Sequence, residues 1–263
     1  MTLARTLAAA LFGLGFATAT PVASTPVLKR SPPPPHENGK YILEDRQAEF
    51  DNHISWDFQS GSLPHGLSRS QYPVGQTHRY APENVVVRDG YLELLVPGGQ
   101  SQPISCGEVV TDERNILYAS VRTVAILTET PGVCNGMFFF ESDNQETDIE
   151  WLSDPESISN GGTRKLWLTN QDTDGNGKTY LAIDPPSDPT STEHEYRIDW
   201  TEGLVRWFVD GQQVWETTDD VPSVPGPWVF NNWSNGDKGW SAGPPAQDAV
   251  FKIQSIEMYY NTV

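Results

Sequence analysis

Three carboxylates occur at every second position of one short segment, where residues 146–151 read Glu-Thr-Asp-Ile-Glu-Trp. Since side chains alternate between the two faces of a strand, Glu146, Asp148 and Glu150 would share one face. The β-branched and aromatic residues between them would face a core. Like charges this close repel each other, so at least one pKa among them must rise. Two carboxyl groups with separated pKa values are what the cleavage of a glycosidic bond requires.

The spacing along this strand also bears on stereochemistry. The Cα atoms of Glu146 and Glu150 would lie roughly 13 Å apart. Side chains that lean toward each other could close the carboxyl groups to about 5–6 Å, the separation typical of retaining enzymes. We assign Glu146 as nucleophile, Asp148 as the residue that assists it and Glu150 as general acid/base. The reverse order of the two glutamates fits the spacing equally. An acidic strand face that contacts solvent and has no catalytic role is the alternative.

Strands joined by tight turns make up the rest of the chain. Asp89-Gly90 and Asp210-Gly211 each separate two β-rich runs and predict hairpins. Residues 193–200 alternate strictly between charged and mainly apolar positions, and no long stretch has a convincing helical period. Frequent strands without helices predict an all-β fold, an antiparallel β-sandwich.

The composition excludes some classes of protein. The chain has 263 residues, 35 of them acidic and 17 basic, and a formal net charge of −18. A surface this acidic would be repelled by phosphate backbones, which argues against nucleic-acid binding. The apolar fraction of 37% is ordinary for a folded domain. We expect a monomer that does not bind membranes.

The N-terminal residues predict export. Arg5 precedes a short apolar run at residues 7–17 and an A-x-A-like site, so that residues 1–19 are typical of a secretory signal peptide. A buried N-terminal helix is the alternative. Lys29-Arg30 resembles a site for a protease that cuts at dibasic pairs, although an exposed turn would also explain it, and four prolines follow. We divide the chain into the signal peptide, a propeptide and Pro-rich leader (20–40) and a catalytic β-sandwich domain (41–263). The C-terminus shows no lipid-anchor signal, so we expect a soluble protein that is secreted to the extracellular space or cell wall.

The carboxylate segment and several others resemble one known family. Glu146-Thr-Asp-Ile-Glu150 resembles the E-x-D-x-E signature of glycoside hydrolase family 16, the concanavalin A-like endo-β-glucanases and transglycosylases. Further segments that resemble the family, in the same order along the chain, are Cys106-Gly-Glu108, His194-Glu-Tyr-Arg-Ile-Asp-Trp200, Arg206-Trp-Phe-Val-Asp-Gly211, Asn231-Asn-Trp233 and Gly239-Trp240. The resemblance covers residues 50–260.

The resemblance implies a β-jelly-roll sandwich with a sugar-binding cleft on a concave face. It also implies the order of roles given above, with a covalent glycosyl-enzyme intermediate. Asn231, Trp233 and Trp240 would line the cleft, and Phe139 is a further candidate. Aromatic rings suit such a cleft because sugars present apolar C–H faces, while amides bind hydroxyl groups. A core position is the alternative for the two tryptophans.

Two positions depart from the family's glucanases. Asn144 stands two residues before Glu146, where they carry Trp, and Val110 stands two residues after Glu108, where they often carry Arg. Both changes fall near the scissile bond, so linkage specificity is not carried over. The strict alternation lacks the extra residue of the bulged E-x-D-x-x-E laminarinase branch. It therefore favours the unbulged branch, which contains mixed-linkage glucanases and wall-remodelling transglycosylases.

Three smaller signals concern modification and metals. Cys106 and Cys134 predict one disulfide between neighbouring strands of an exported protein, with two buried free thiols as the alternative. Asn232-Trp-Ser is the only N-x-[ST] sequon and makes Asn232 the candidate glycosylation site. Alternation places Asn232 on the face opposite the cleft, so a glycan there would not block it. The segment from Asp172 to Gly177 imitates half of an EF-hand loop, but Ile183 stands where its glutamate should be, which favours a polar turn. We expect no cofactor and no catalytic metal, and leave a structural calcium ion elsewhere on the sandwich open.

Three functions are consistent with these observations. The first is a secreted, retaining endo-β-glucanase that acts on β-1,3- or mixed β-1,3/1,4-glucan, with or without transglucosylase activity. The second is a cell-wall transglycosylase that moves glucan or chitin chains. The third is a lectin-like module that binds carbohydrate without turnover. In each case a β-glucan polysaccharide or a related polymer is the expected partner.

Overall fold

The structure is a computed structural model that describes residues 30–43 and 48–263. The predicted signal peptide and residues 20–29 of the predicted leader lie outside the described residues. The strands are β1 (His36–Glu37), β2 (Lys40–Ile42), β3 (Glu49–Phe50), β4 (Asn52–Asp57), β5 (Leu67–Arg69), β6 (Tyr72–Val74), β7 (His78–Tyr80), β8 (Val85–Arg88), β9 (Tyr91–Val96), β10 (Ile104–Thr111), β11 (Ile116–Ile126), β12 (Cys134–Ser142), β13 (Gln145–Leu152), β14 (Leu166–Asn170), β15 (Thr179–Ile183), β16 (His194–Thr201), β17 (Leu204–Val209), β18 (Gln212–Thr217), β19 (Trp228–Trp233) and β20 (Ala249–Thr262). A short 3-10 helix (Pro82–Asn84) precedes β8.

Two large sheets are built from these strands. The nine-stranded sheet has the order β15-β14-β13-β12-β19-β10-β7-β6, and β5 pairs with β10. The eight-stranded sheet has the order β18-β17-β16-β11-β20-β9-β8, and β4 pairs with β20. Neighbouring strands are antiparallel, apart from the parallel pairing of β7 with β10. The predicted antiparallel β-sandwich is confirmed.

The two predicted hairpin turns are present. β8 and β9 are joined by Asp89 and Gly90, with φ angles of 52° and 82°. β17 and β18 are joined by Asp210 and Gly211, with φ angles of 49° and 73°. Positive φ at both central residues matches the right-handed twist of the flanking strands, which is why Asp-Gly is favoured there.

The main core lies between the two sheets and fixes which way β13 faces. Ile149 and Trp151 point into this core, where they join Trp200 and Trp207. The indole N–H of Trp207, from the eight-stranded sheet, donates to the backbone oxygen of Asp148 at 2.9 Å. The apolar face of β13 is therefore anchored in the core, and its acidic face must point away from the eight-stranded sheet.

β19 has one asparagine on each face. Asn232 points into the interior, where its Nδ2 donates to the backbone oxygens of Leu94 (2.9 Å) and Ala249 (3.0 Å) and its Oδ1 accepts from Asn135 (2.9 Å). The two bonds donated by Nδ2 link the nine-stranded sheet to β9 and β20 of the other sheet. The neighbouring Asn231 and Trp233 point to the outer face, next to the acidic face of β13.

The outer face of the eight-stranded sheet is partly covered by the N-terminal segment. β1, β2 and β3 form a small sheet, and Leu43 and Phe50 pack with Tyr259 of β20. Ser31 and Pro34 are buried, although they belong to the range 20–40 that the sequence predicts to be a propeptide and Pro-rich leader. The difference arises because the sheet beneath carries buried charged groups that accept and donate hydrogen bonds to this backbone. Among the described residues, no helix is long and apolar enough to cross a membrane.

Candidate active site

Continuous pairing positions the three acidic residues on β13. Residues 146–150 pair in unbroken register with β12, and residues 147–151 pair in unbroken register with β14. Glu146 lies opposite Phe140, Asp148 opposite Phe138 and Glu150 opposite Gly136. A bulge in this stretch would turn one acid to the other face. The absence of a register shift here keeps all three on the outer face, as the spacing predicts.

Burial raises the pKa of each of the three carboxyl groups. For Glu146 it is the main cause of a pKa raised to about 7, and the charge of Glu150 adds to the effect. The pKa of Asp148 lies well above its usual range, first because of burial and then because of the charges of Glu146 and Glu150. Burial also raises the pKa of Glu150. The three groups therefore titrate together and at higher pH than exposed carboxylates.

Donors on neighbouring elements form hydrogen bonds with two of these groups, Glu150 and Asp148. Glu150 Oε1 accepts from the thiol of Cys134 at 3.1 Å and from the indole N–H of Trp240 at 3.2 Å. Asp148 Oδ2 accepts from Gln171 Nε2 at 3.0 Å. A hydrogen bond between Asp148 and Glu146 lowers the pKa of Glu146 and raises that of Asp148. This pattern is that of a protonated Asp148 that donates to an ionised Glu146.

An amide stands across the cleft floor from Glu150. Asn231 of β19 and Glu150 of β13 lie on either side of Gly136 of β12 in the register. A Cβ atom at Gly136 would lie 2.6 Å from Asn231 Oδ1 and 3.0 Å from the Phe138 ring, so that a larger residue here would displace the amide. The missing side chain leaves room for the amide between the two strands.

The amide of Asn231 is oriented by two hydrogen-bond acceptors on the neighbouring strands of the sheet. Its Nδ2 donates to the hydroxyl oxygen of Tyr80 at 3.0 Å and to Glu108 Oε2 at 3.2 Å, while its Oδ1 is buried without a partner. Tyr72 donates to the other oxygen of Glu108 at 2.8 Å. Burial raises the pKa of Glu108, and its hydrogen bonds oppose the rise. An oriented amide oxygen without a partner is a ready acceptor for a hydroxyl group.

Aromatic and aliphatic side chains complete a cleft above these polar groups. The lining residues come from strands β6, β7, β10, β12, β13 and β19 and from the β12–β13 turn; they are Tyr72, Val74, His78, Tyr80, Glu108, Phe138, Phe140, Asp143, Glu146, Glu150, Val229, Asn231 and Trp233. The rings of His78 and Trp233 are stacked, with 5.4 Å between centroids. Such a combination of ring faces and few polar groups suits the binding of a sugar chain.

Comparison with known families agrees with this geometry. The profile of "Glycosyl hydrolases family 16" matches residues 75–249, which include the acidic face of β13 and the amide of Asn231. The chain belongs to glycosyl hydrolase family 16. The resemblance seen in the sequence is thereby confirmed, as is its expectation of a glycoside hydrolase.

Curated relatives of the chain carry two kinds of name. A β-glucanase of Paenibacillus polymyxa is 27% identical over 158 residues, 58% of this chain and 63% of that protein. A β-glucanase of Paenibacillus macerans is 34% identical over 152 residues, 56% of this chain and 60% of that protein. Crh-like protein 5 of Aspergillus fumigatus is 25% identical over 183 residues, 65% of this chain and 44% of that protein. The chain thus spans less than two thirds of the length of these relatives.

Solved structures share the family-16 fold. Bacillus licheniformis β-glucanase has a TM-score of 0.64 with 18% identity, over 80% of this chain and 98% of that one. The catalytic domain of an endo-1,3-β-glucanase (laminarinase) from Thermotoga petrophila has a TM-score of 0.64 with 18% identity, over 80% of this chain and 96% of that one. At this identity the likeness establishes the fold alone, the β-jelly-roll sandwich that sequence analysis predicts.

The structure brings three of the four predicted cleft residues to the family-16 site. Asn231 and Trp233 line the cleft, and Trp240 contacts Glu150 from the loop after β19. Phe139 is a wrong prediction: its side chain is buried in the main core against Trp200, with 4.0 Å between ring centroids. Alternation along β12 is the reason, because the neighbouring phenylalanines, Phe138 and Phe140, are the ones that face the cleft.

The cleft residues that sequence analysis did not assign lie at the β6–β7–β10 end and on β12. They include Tyr72, His78, Tyr80 and Glu108, with Phe138 and Phe140. Glu108 carried a signal, since it ends one of the segments that resemble the family. β6 and β7 are three residues each, too short to show an alternating pattern, and they belong to this face only through the parallel pairing of β7 with β10.

The predicted disulfide is wrong, because Cys106 and Cys134 are both free and buried. Cys106 lies on β10 and Cys134 on β12, and β19 runs between these two strands, so they are not neighbours in the sheet. Two strand spacings amount to about 9–10 Å, beyond the Cα separation of about 7 Å that a disulfide can bridge. The alternative of two buried thiols is the one observed.

Glycosylation at Asn232 is contradicted as well. The side chain is fully buried and makes the interior hydrogen bonds to Leu94, Ala249 and Asn135 described above. Alternation does place Asn232 opposite Asn231 and Trp233, but that opposite face is the interior between the sheets. A glycan on this amide would separate the two sheets.

The half EF-hand segment forms a polar turn. The carboxylate of Asp172 accepts the backbone N–H groups of Asp174, Gly175 and Gly177 at 2.6–3.2 Å. Asp220 brings a third carboxylate near Asp172 and Asp174, and its oxygens accept from Thr173 and Thr179. The loop's own donors thus satisfy much of this cluster. A structural calcium ion elsewhere on the sandwich stays an open alternative.

Proposed function

We propose that this chain is a secreted, retaining endo-β-glucanase that hydrolyses β-1,3- or mixed β-1,3/1,4-glucan by double displacement. The observation that carries the proposal is the row of Glu146, Asp148 and Glu150 on the unbulged strand β13, at the floor of a cleft with ring faces and the Asn231 amide. The β-glucanase names of the Paenibacillus relatives support the same substrate class.

In the first step, Glu146 attacks the anomeric carbon while Glu150 gives its proton to the departing glycosidic oxygen. Asp148 stabilises the ionised form of Glu146 through their hydrogen bond before the attack. The product is a glycosyl ester on Glu146. In the second step, Glu150, now a carboxylate, takes a proton from water, whose oxygen attacks the anomeric carbon and releases Glu146.

Burial raises the pKa of both glutamates, and the hydrogen bond from Asp148 acts on Glu146 alone. The acid/base has to be protonated at the start of a turnover, and the raised pKa of Glu150 favours this form. The nucleophile has to be ionised, and the hydrogen bond from Asp148 works in that direction against the effect of burial. Asn231 Oδ1 is placed to accept a hydrogen bond from a hydroxyl group of the bound sugar chain.

The test compares wild-type protein with Glu146→Gln and Glu150→Gln on soluble β-1,3-, mixed-linkage and β-1,4-glucans, with products separated by linkage. We expect Glu150→Gln to lower kcat/KM about 10²–10⁴-fold and Glu146→Gln to abolish turnover. Equal product release from wild-type and Glu146→Gln would overturn the proposal. Binding of glucan by wild-type protein without any turnover would favour the lectin-like module instead.

A separate experiment tests which glutamate is the nucleophile. Azide is added to reactions of alanine variants with an activated aryl glycoside as substrate. If Glu146 is the nucleophile, azide attacks Glu146→Ala from the vacated side and gives a glycosyl azide of inverted configuration. In Glu150→Ala the glycosyl ester on Glu146 still forms, so azide gives the retained configuration. The opposite pair of products would exchange the two roles.

A cell-wall transglycosylase is the second candidate, because β13 is unbulged over its three acidic residues, as in the branch that the resemblance associates with wall-remodelling transglycosylases. Water and an acceptor sugar compete for the same glycosyl ester, so the balance depends on how well the acceptor is bound. An assay with fluorescent glucan and chitin oligosaccharide acceptors distinguishes the two, because only transfer makes labelled polymer.

Secretion is a proposal that rests on residues 1–19, outside the described residues. Expression of the whole chain in a eukaryotic host, followed by the distribution of the protein between medium and cells, tests it. Deletion of residues 1–19 should retain the protein inside the cell.

A further inference from the structure

The face of the eight-stranded sheet that points away from the cleft carries a row of buried charged side chains. Glu195, Arg197 and Asp199 alternate along β16, and Arg122 lies on the neighbouring β11; each is at most 3% exposed. Arg197 donates to both oxygens of Asp199, at 2.8 and 2.5 Å. Arg122 lies 3.8 Å from a carboxylate oxygen of Glu257 on β20. The side chain of Glu195 instead accepts a hydrogen bond from a backbone N–H group.

That backbone group belongs to the N-terminal segment. The N–H of Ser31 donates to Glu195 Oε1 at 2.9 Å, in a buried hydrogen bond. Arg122 Nη1 donates to the backbone oxygens of Pro32 at 2.7 Å and Ser31 at 3.4 Å. Ser31 is 7% exposed, whereas the side chain of Arg30, directly before it, is exposed and donates to Gln254. The chain therefore passes from solvent into the protein at the Arg30–Ser31 peptide bond.

This bond follows the dibasic pair Lys29-Arg30. We infer that a protease specific for paired basic residues cleaves the Arg30–Ser31 bond, and that the new α-ammonium group of Ser31 forms a buried ion pair with Glu195. In this hydrolysis the C–N bond breaks and the oxygen of water joins the Arg30 carbonyl carbon, which becomes a carboxylate. The nitrogen of Ser31 keeps its place and takes up protons to become an ammonium group.

Two physical arguments support the ion pair. The nitrogen already lies at hydrogen-bond distance from the carboxylate, so cleavage replaces a neutral donor by a charged one without movement of the chain. Hydrogen bonds between two charged groups are about twice as strong as neutral ones, and a buried carboxylate is most stable when a cation is its partner. Cleavage at a neighbouring bond would place the charge about one residue, ~3.8 Å, away from Glu195.

Because the Ser31 N–H is buried once the segment has docked, cleavage takes place before docking or while the segment is lifted off. The experiment therefore uses the whole chain, expressed in a host whose secretory pathway contains a protease for paired basic residues. N-terminal sequencing of the secreted protein should give Ser31 as the first residue. The Lys29→Ala/Arg30→Ala variant should begin upstream of Ser31. A mature protein that begins at any other residue would overturn the inference.

The ion pair is tested by thermal unfolding of matched forms. A glycine inserted between Arg30 and Ser31 lets the same protease release a chain that begins Gly–Ser31, with the ammonium group displaced by one residue. We expect the form that begins at Ser31 to melt about 2–6 °C higher than this control. Equal melting temperatures would refute the ion pair. Glu195→Gln should remove the difference; should that variant not fold, the comparison of the two N-termini decides alone.

This inference does not depend on the proposed catalytic function, since neither readout is enzymatic. The cleft carboxylates lie on the nine-stranded sheet, whereas Glu195 lies on the eight-stranded sheet.

Discussion

The thiol of Cys134 donates a hydrogen bond to the Oε1 oxygen of Glu150 across 3.1 Å. The cysteine lies at the start of β12, and the indole N–H of Trp240 donates to the same oxygen. Because Oε1 accepts both bonds, the proton of a general acid is expected on Oε2. Both donors also lower the pKa of Glu150 and so oppose the effect of burial.

Cys134→Ala should therefore move the basic limb of the pH profile of kcat/KM to higher pH. Loss of a donor raises the pKa of Glu150, so that its protonated form persists further up the pH scale. We expect kcat/KM at the optimum to fall about 2–10-fold, the worth of one hydrogen bond. Cys134→Ser keeps a donor and is the matched control. Identical pH profiles for wild-type and Cys134→Ala would show that the thiol does not act on Glu150.

Asp148 should control the acidic limb of the same profile. The pKa of Glu146, raised to about 7, means that activity falls as the pH drops through this region and the nucleophile is protonated. Asp148→Ala removes the hydrogen bond that lowers the pKa of Glu146, so the acidic limb should move to higher pH. Asp148→Asn keeps a donor and should leave the limb near its wild-type position. A limb that moves to lower pH in Asp148→Ala would contradict the described hydrogen bond.

Neighbouring asparagines on β19 should have opposite phenotypes. Asn231→Ala removes the amide that faces the cleft, and we expect lower kcat/KM with a smaller effect on stability. Asn232→Ala leaves two backbone oxygens in the interior without a donor, which costs about 1–3 kcal/mol for each unpaired group, while KM should change little. Kinetics on a glucan and urea unfolding of both variants provide the check. Equal losses of stability in the two would refute the assignment.

Gly136→Ala should disturb the cleft through Asn231. Its Cβ atom would lie 2.6 Å from Asn231 Oδ1, and overpacking of this kind typically costs about 1–3 kcal/mol. The double variant Gly136→Ala/Asn231→Ala removes the atom that the methyl group meets. We expect it to be more stable than the sum of the single effects predicts, as measured by urea unfolding. Strict additivity would mean that another contact, such as that with Phe138, dominates.

The two cysteines should behave as buried thiols. Burial raises the pKa of Cys106 to about 12 and that of Cys134 well above its usual range, so neither is a thiolate at neutral pH. A thiol-reactive dye should label neither in the folded protein and both in denaturant, without prior reduction. If labelling in denaturant required a reductant, the two cysteines would be joined in a disulfide, as the sequence predicts.

Period-two alternation predicted the face of β13 correctly because every second residue there is strongly acidic or strongly apolar. The same rule, applied to Phe138, Phe139 and Phe140, gave no answer, since three identical side chains leave the phase of the strand open. Only the pairing of β12 with β13 sets that phase. The burial of Asn232 was missed for a related reason: alternation separates two faces but does not say which of them is solvent.

Long-range pairing accounts for the other errors. The positions of Cys106 and Cys134 in the sheet depend on β19, which comes about a hundred residues later and inserts between their strands. The docking of Ser31 and Pro32 depends on charged groups of β11 and β16. Neither partner is visible in the local sequence of the segments concerned.

β19 has a consequence for how the cleft responds to its ligand. One strand presents Asn231 to the sugar side and, at the next residue, fastens Asn232 to backbone oxygens of both β9 and β20. The cleft floor therefore cannot adapt by sliding or tilting this strand without breaking bonds in the interior. Reorganisation on binding has to come from the rings along the rim. The amide oxygen of Asn231 is already oriented as an acceptor in the folded protein, before the ligand binds.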